Sequence, residues 1–184
     1  MTRAAPAATL ARVNLAELLT VLALVGLALS GTLAALQQGQ QAYTIGAARV
    51  EAQQNGRIAL ERLAREIRGA GAGGGAFDAI TAAERERIVL QLDLDGDGAT
   101  TGRGETVAWR LDRTVLRRDA GGGAQPVVNG VRSLVLEYLD GRGQPVQVPG
   151  EIRTVAITLV TEGAEDAGGA GLTTLTTRVR LRNR

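Results

Sequence analysis

Residues 13–36 read VNLAELLTVLALVGLALSGTLAAL, and no charged residue follows Glu17 until Arg49. Leu, Val and Ala fill the centre of the run, which as a helix would extend roughly 36 Å, enough to cross a hydrocarbon core of roughly 30 Å. A leader, residues 1–12, precedes it with Arg3 and Arg12 as its only charged side chains. That asymmetry predicts a single-pass membrane anchor, with the N-terminus held in the cytoplasm and the rest of the chain on the far side. Ala28-Leu-Ser-Gly31 offers a small-x-small site to a signal peptidase. The apolar run is longer than a signal peptide needs, however, and passes smoothly into more helix, so an uncleaved or differently cleaved anchor is expected.

Composition narrows the chemistry. The 184 residues contain no cysteine and no histidine, which removes disulfides, thiolate chemistry, and the commonest general base and metal ligand. No catalytic residue is assigned, and the chain is read as a non-enzyme. The basic residues are 21 arginines, two of them in the leader, so the rest of the chain balances 19 arginines against 19 acids. The sequence pI near 9.9 therefore does not argue for a nucleic-acid partner, and none is expected.

From residue 37 to 68 the pattern becomes amphipathic, with Ala59, Leu60, Leu63, Ala64 and Ile67 at helical spacing. One helix is predicted from about residue 14 to Arg68, weakened at Gly39, Gly46 and Gly56. The glycine-rich stretch 69–76 ends it as a flexible linker. In residues 77–184 the period falls to two. Ile88, Leu90 and Leu92 form one inward face, Val107, Trp109 and Leu111 a second, and Leu134, Leu136 and Tyr138 a third. Val155, Ile157 and Leu159 form a fourth, and Leu175, Val179 and Leu181 a fifth, with Arg178, Arg180 and Arg182 outward. A two-residue turn is expected at Asp112-Arg113, and hairpin loops at Gly121–Gly123 and Gly163–Gly171. The fold class is α+β: a long N-terminal helix whose amphipathic half packs on one antiparallel sheet.

Asp93-Leu-Asp95-Gly-Asp97-Gly98 carries acids at the first, third and fifth positions and glycine at the sixth, the opening of a calcium loop. The twelfth position is Gly104, Glu105 comes one residue late, and strands flank the loop, so a full EF-hand is excluded. A calcium site built on a β-loop from Asp93, Asp95, Asp97 and Glu105 stands beside the plainer reading of a solvated hairpin tip. The arginines at 178, 180, 182 and 184 are read as solvated charges that blunt an edge strand.

Leu15-Ala-Glu17-Leu-Leu, with Gly26 nine residues after the glutamate, resembles the N-terminus of type IV prepilins and type II secretion pseudopilins. Residues 52–68, the strand Gly104-Glu-Thr-Val-Ala-Trp-Arg-Leu111 and the closing Thr-Arg-Val-Arg-Leu-Arg-Asn183 are similar to the minor-pilin branch called PilW-like or J-type. The resemblance implies a pilin-like fold and a minor pilin or pseudopilin that joins other pilins through its N-terminal helix, in priming or at the tip of a fibre. It also implies cleavage by a prepilin peptidase between Arg12 and Val13, methylation of Val13, and a role for Glu17 in pairing with the freed amine of a neighbouring subunit. Arg12, Val13 and Asn14 stand where the family has Gly, Phe and Thr, and Arg12 in particular argues against ready processing. The alternative reading is a membrane-anchored extracytoplasmic binding module, calcium-dependent, outside any fibre.

Overall fold

The structure, a computed structural model, describes residues 14–162 and 171–183. Arg12, Val13 and the leader, most of Gly163–Gly171, and Arg184 lie outside the described residues. Contacts divide the chain into two units, up to Tyr43 and from Thr44 onward. A single helix, α1, runs Leu15–Gly69, 55 residues without proline. Leu, Ala, Gln, Glu and Arg dominate it, all strong helix formers. It starts where the carbonyl of Asn14 accepts the N–H groups of Glu17 and Leu18, at 2.9 and 3.1 Å, and Gly69 ends it after Arg68 in the last turn.

Among the described residues of the second unit, eight strands form two antiparallel sheets rather than the one sheet expected. Sheet A holds β1 (Ile80–Ala83), β2 (Arg87–Gln91), β3 (Thr106–Asp112), β4 (Val115–Asp119) and β5 (Gln125–Val128), in that order. Sheet B holds β6 (Val131–Leu139), β7 (Thr154–Glu162) and β8 (Leu172–Arg180). The chain leaves sheet A for sheet B through Asn129-Gly130, with Gly130 at φ 71°, a conformation that costs glycine nothing. A short 3-10 turn, Pro149–Glu151, lies between β6 and β7.

One core serves both sheets. Ala59, Leu60, Leu63, Ala64 and Ile67 of α1, the five residues expected, are buried in one cluster with Ile88, Trp109 and Leu116 of sheet A and Leu134, Ile157 and Val179 of sheet B. The inward faces follow the expected alternation, while Leu92, Leu111 and Leu175 sit only part-buried at its edge. Arg178, Arg180 and Arg182 are exposed. The β3–β4 turn is Arg113-Thr114, not Asp112-Arg113, because Asp112 pairs with Val115. Arg113 takes the left-handed φ, 56°.

Polar pins fix the layers. Glu66 of α1 accepts from Trp109 Nε1 at 2.5 Å and from Arg118 Nε at 2.8 Å, tying the helix to β3 and β4. Tyr138 of β6 donates to the carbonyl of Glu84 at 2.7 Å, tying sheet B to the β1–β2 turn. Burial, with Glu84 adding to it, pushes the Tyr138 phenol well above its ordinary value, so it acts as a donor across the working pH range.

Candidate functional site

Two features carry chemistry, one in each unit. The first is the apolar part of α1. An 18-residue window of this helix has mean hydropathy 2.2 and none of it is buried, so Leu15, Leu22, Leu24 and Leu27 stand exposed. The helix is long and apolar enough to cross a membrane. Its hydroxyls fit that environment: Thr20, Ser30 and Thr32 donate to the carbonyls of Glu17, Gly26 and Leu29 at 2.7–2.8 Å, so each donor is satisfied within the helix. Glu17 is exposed in the first turn, where the positive end of the helix dipole favours a carboxylate. Gly26 is exposed too, and a Cβ there would meet nothing within 4 Å, leaving that face open to close approach by another helix.

The second feature is the loop from Asp93 to Glu105. Asp93, Asp95 and Asp97 each place a carboxylate oxygen within 4.8 Å of the others. Asp93 is buried and uses both oxygens on its own loop, accepting from Gly96 N at 2.6 Å and Gly98 N at 3.0 Å. Asp95 and Asp97 are exposed, and each accepts from the N–H two residues on, the Asx-turn arrangement. Glu105 sits apart in role. It is 2 % exposed and accepts from Leu94 N at 2.9 Å and Gly102 N at 2.6 Å. It closes the loop by gripping both ends, and it is not among the three clustered carboxylates.

The glycine-rich stretch after α1 is part of this site rather than a free linker. Gly71 N donates to Gln91 O at 2.7 Å, and Asp93 N donates to Ala72 O at 2.9 Å. Gly73, at φ 106°, lies so close that a Cβ would overlap the Cβ of Asp93. Only glycine lets the exit of the helix back directly onto the acidic loop. Sequence pattern does not show this, because glycines spaced for flexibility and glycines demanded by close approach look alike.

The electrostatics follow from this crowding. The N–H of Asp97 is the largest single influence on the Asp95 carboxyl and lowers its pKa. Desolvation and the charges of Asp97, Glu105 and Asp93 together outweigh it and raise the value above the ordinary one. A hard cation would relieve the same repulsion, and oxygen-only donors at this spacing are the chemistry such a cation takes. The two features are separate: Glu17 and Gly26 belong to one unit and the acidic loop to the other.

No protein-family model matches the chain, and no curated protein matches its sequence.

Proposed function

We propose that the chain is a minor pilin or pseudopilin subunit, held in the inner membrane by the first part of α1 with its sheets on the far side, and assembled through that helix into a type IV pilus or a type II secretion pseudopilus. The observation that carries this reading is the division of labour along one 55-residue helix. Its last turns are buried against two sheets, and its first half exposes leucines on all sides with a single carboxylate at its start. An anchor alone needs only about 20 apolar residues. A fibre subunit also needs a helix that continues into its head and a register mark on the apolar surface. In this reading Glu17 is that mark, stabilised by a neighbour's N-terminal amine, and Gly26 permits helix contact.

Glu17→Ala is expected to leave the protein in the membrane while removing it from sheared fibres. Fractionation followed by immunoblotting checks it, and normal recovery of the variant in fibres would sink the reading. Mass spectrometry of the extracted wild type bears on processing. Loss of residues 1–12 with a methyl group on Val13 supports entry through a prepilin peptidase, despite Arg12.

A second reading, favoured by the three carboxylates within 4.8 Å, is an anchored extracytoplasmic module that holds calcium on Asp93, Asp95 and Asp97, with Glu105 as the clamp. The sign is fixed by Asp95. A carboxyl raised in the folded state contributes stability below its unfolded value, and this is lost as pH rises through the folded value. At neutral pH without a cation the ionised Asp95 carboxylate therefore opposes folding. Asp95→Asn is expected to raise the melting temperature in chelator and to abolish the gain that millimolar calcium gives the wild type. Calorimetry showing no calcium shift in the wild type removes the site.

A further inference from the structure

Three arginines stand side by side on the outward face of sheet A. Arg87 of β2 is directly opposite Arg110 of β3, and Arg110 is directly opposite Arg117 of β4. Directly opposed residues on adjacent strands share a face with Cβ atoms about 5 Å apart, and like charges so placed are destabilising. The outer two are neutralised. Arg87 meets Glu84 at 2.8 Å, and Arg117 meets Asp112 at 2.9 Å and donates to Ala124 O at 3.3 Å. The middle one is not: the guanidinium of exposed Arg110 makes no hydrogen bond or ion pair with any described residue. All three line one depression of about 160 Å³, with Ala108, Ala124 and Asp119 completing it. The small side chains of Ala108 and Ala124 create the room. Asp119 turns one oxygen to its own loop, accepting from Gly121 N and Gly123 N at 3.0 and 3.2 Å.

We infer that this depression binds a small oxyanion, with Arg110 as its central contact and Arg87 and Arg117 as flanking donors. The volume is about that of five waters in the liquid, which suits a phosphate or a carboxylate group and is small for a nucleotide. Guanidinium forks match the paired oxygens of such groups. The charge of Arg110, the member of the row without a carboxylate partner among the described residues, becomes the source of affinity when an anion sits over it.

The test uses the full chain in detergent with a chelator present, so that cations on the acidic loop contribute nothing. Sodium phosphate and sodium acetate, each at about 20 mM, are compared with sodium chloride of equal ionic strength. One of the two oxyanions is expected to raise the melting temperature by about 3 °C over chloride, and which one does so identifies the preferred group. Arg110→Gln is expected to lose most of that rise while melting no lower than the wild type in low-salt chloride. Arg180→Gln, on the exposed face of β8, is expected to keep the rise in full. No oxyanion-specific rise, or an equal rise in all three proteins, overturns the inference. So does an Arg110→Gln variant that melts well below the wild type in chloride, because the side chain would then be structural.

Discussion

Glu66→Ala is expected to destabilise the second unit by about 3 kcal/mol, seen as a fall in melting temperature of roughly 6–12 °C. The carboxylate accepts from two donors on two strands. Trp109 is fully buried, so its indole N–H loses its only acceptor where water cannot replace it, at about 1–3 kcal/mol. Arg118 loses its partner while its side chain is only 22 % exposed, which adds roughly another 1 kcal/mol. The i,i+4 contact from Arg62 at 3.6 Å is half exposed and contributes little. Trp109 is the chain's one tryptophan, so its fluorescence reports the site directly, and a red shift in the folded variant is expected as well. Glu66→Gln keeps an acceptor oxygen and is expected to lose about half as much. Trp109→Phe removes the donor instead, and a double-mutant cycle between the two should return a coupling of about 1–2 kcal/mol. A Glu66→Ala variant within about 0.5 kcal/mol of the wild type would show that Glu66 is not the pin.

The helix and its buried face were fully legible in the sequence. Proline is absent over 55 residues and the apolar spacing is helical, so Ala59, Leu60, Leu63, Ala64 and Ile67 had no alternative face to bury. The strands with clear alternation were legible for the same reason, from Ile88 and Leu90 to Val155 and Ile157. β1 and β5 were not. Ile80-Thr-Ala-Ala83 has one large apolar residue, and Gln125-Pro-Val-Val128 contains a proline that only an edge or bulged strand accepts. Both lie at the edges of sheet A. The division into two sheets was also hidden, because alternation reports which face is buried and not which strands share hydrogen bonds. Asn129-Gly130 is a two-residue connection that could have made a hairpin. It instead sends β6 to β7, while Gly130 packs against the carbonyl of Glu162.

The candidate sites show the same limit. Composition and spacing pointed to Asp93, Asp95 and Asp97, which the fold does gather. They also pointed to Glu105 as a fourth ligand. Its burial and its two bonds to Leu94 N and Gly102 N make it a clamp, a role that depends on where the backbone turns. Arg87, Arg110 and Arg117 gave no signal at all, since their alignment is a property of strand register and they are scattered in the chain.

Gly56→Leu is expected to cost about 3 kcal/mol, and Gly56→Ala to fall within about 1 kcal/mol of the wild type, by opposition of two effects. Gly56 lies where α1 comes close to side chains of sheet B. A Cβ there would lie 2.9 Å from Leu175 Cδ1 and 3.1 Å from Thr161 Cγ2. Alanine gains about 1 kcal/mol in helix propensity, and one methyl can be met by rotation of Leu175, which is part-buried on the edge strand β8. Thr161 can give less. It is 1 % exposed on the central strand β7, its β-branch holds χ1 stiffly, and its Oγ1 has no hydrogen-bond partner among the described residues. A leucine adds three more carbons that must either displace Thr161 or lift the helix, and overpacking on that scale outweighs any gain in propensity. The mechanism separates from a general intolerance of Gly56 through Leu175→Ala. In that background the Cδ1 contact is absent, and Gly56→Ala is expected to become a net gain of about 1 kcal/mol by chemical denaturation. If alanine at 56 costs the same with or without the Leu175 side chain, close packing against sheet B is not what holds the glycine in place. The buried residues of α1 from Ala59 to Ile67 would then carry its packing on sheet B.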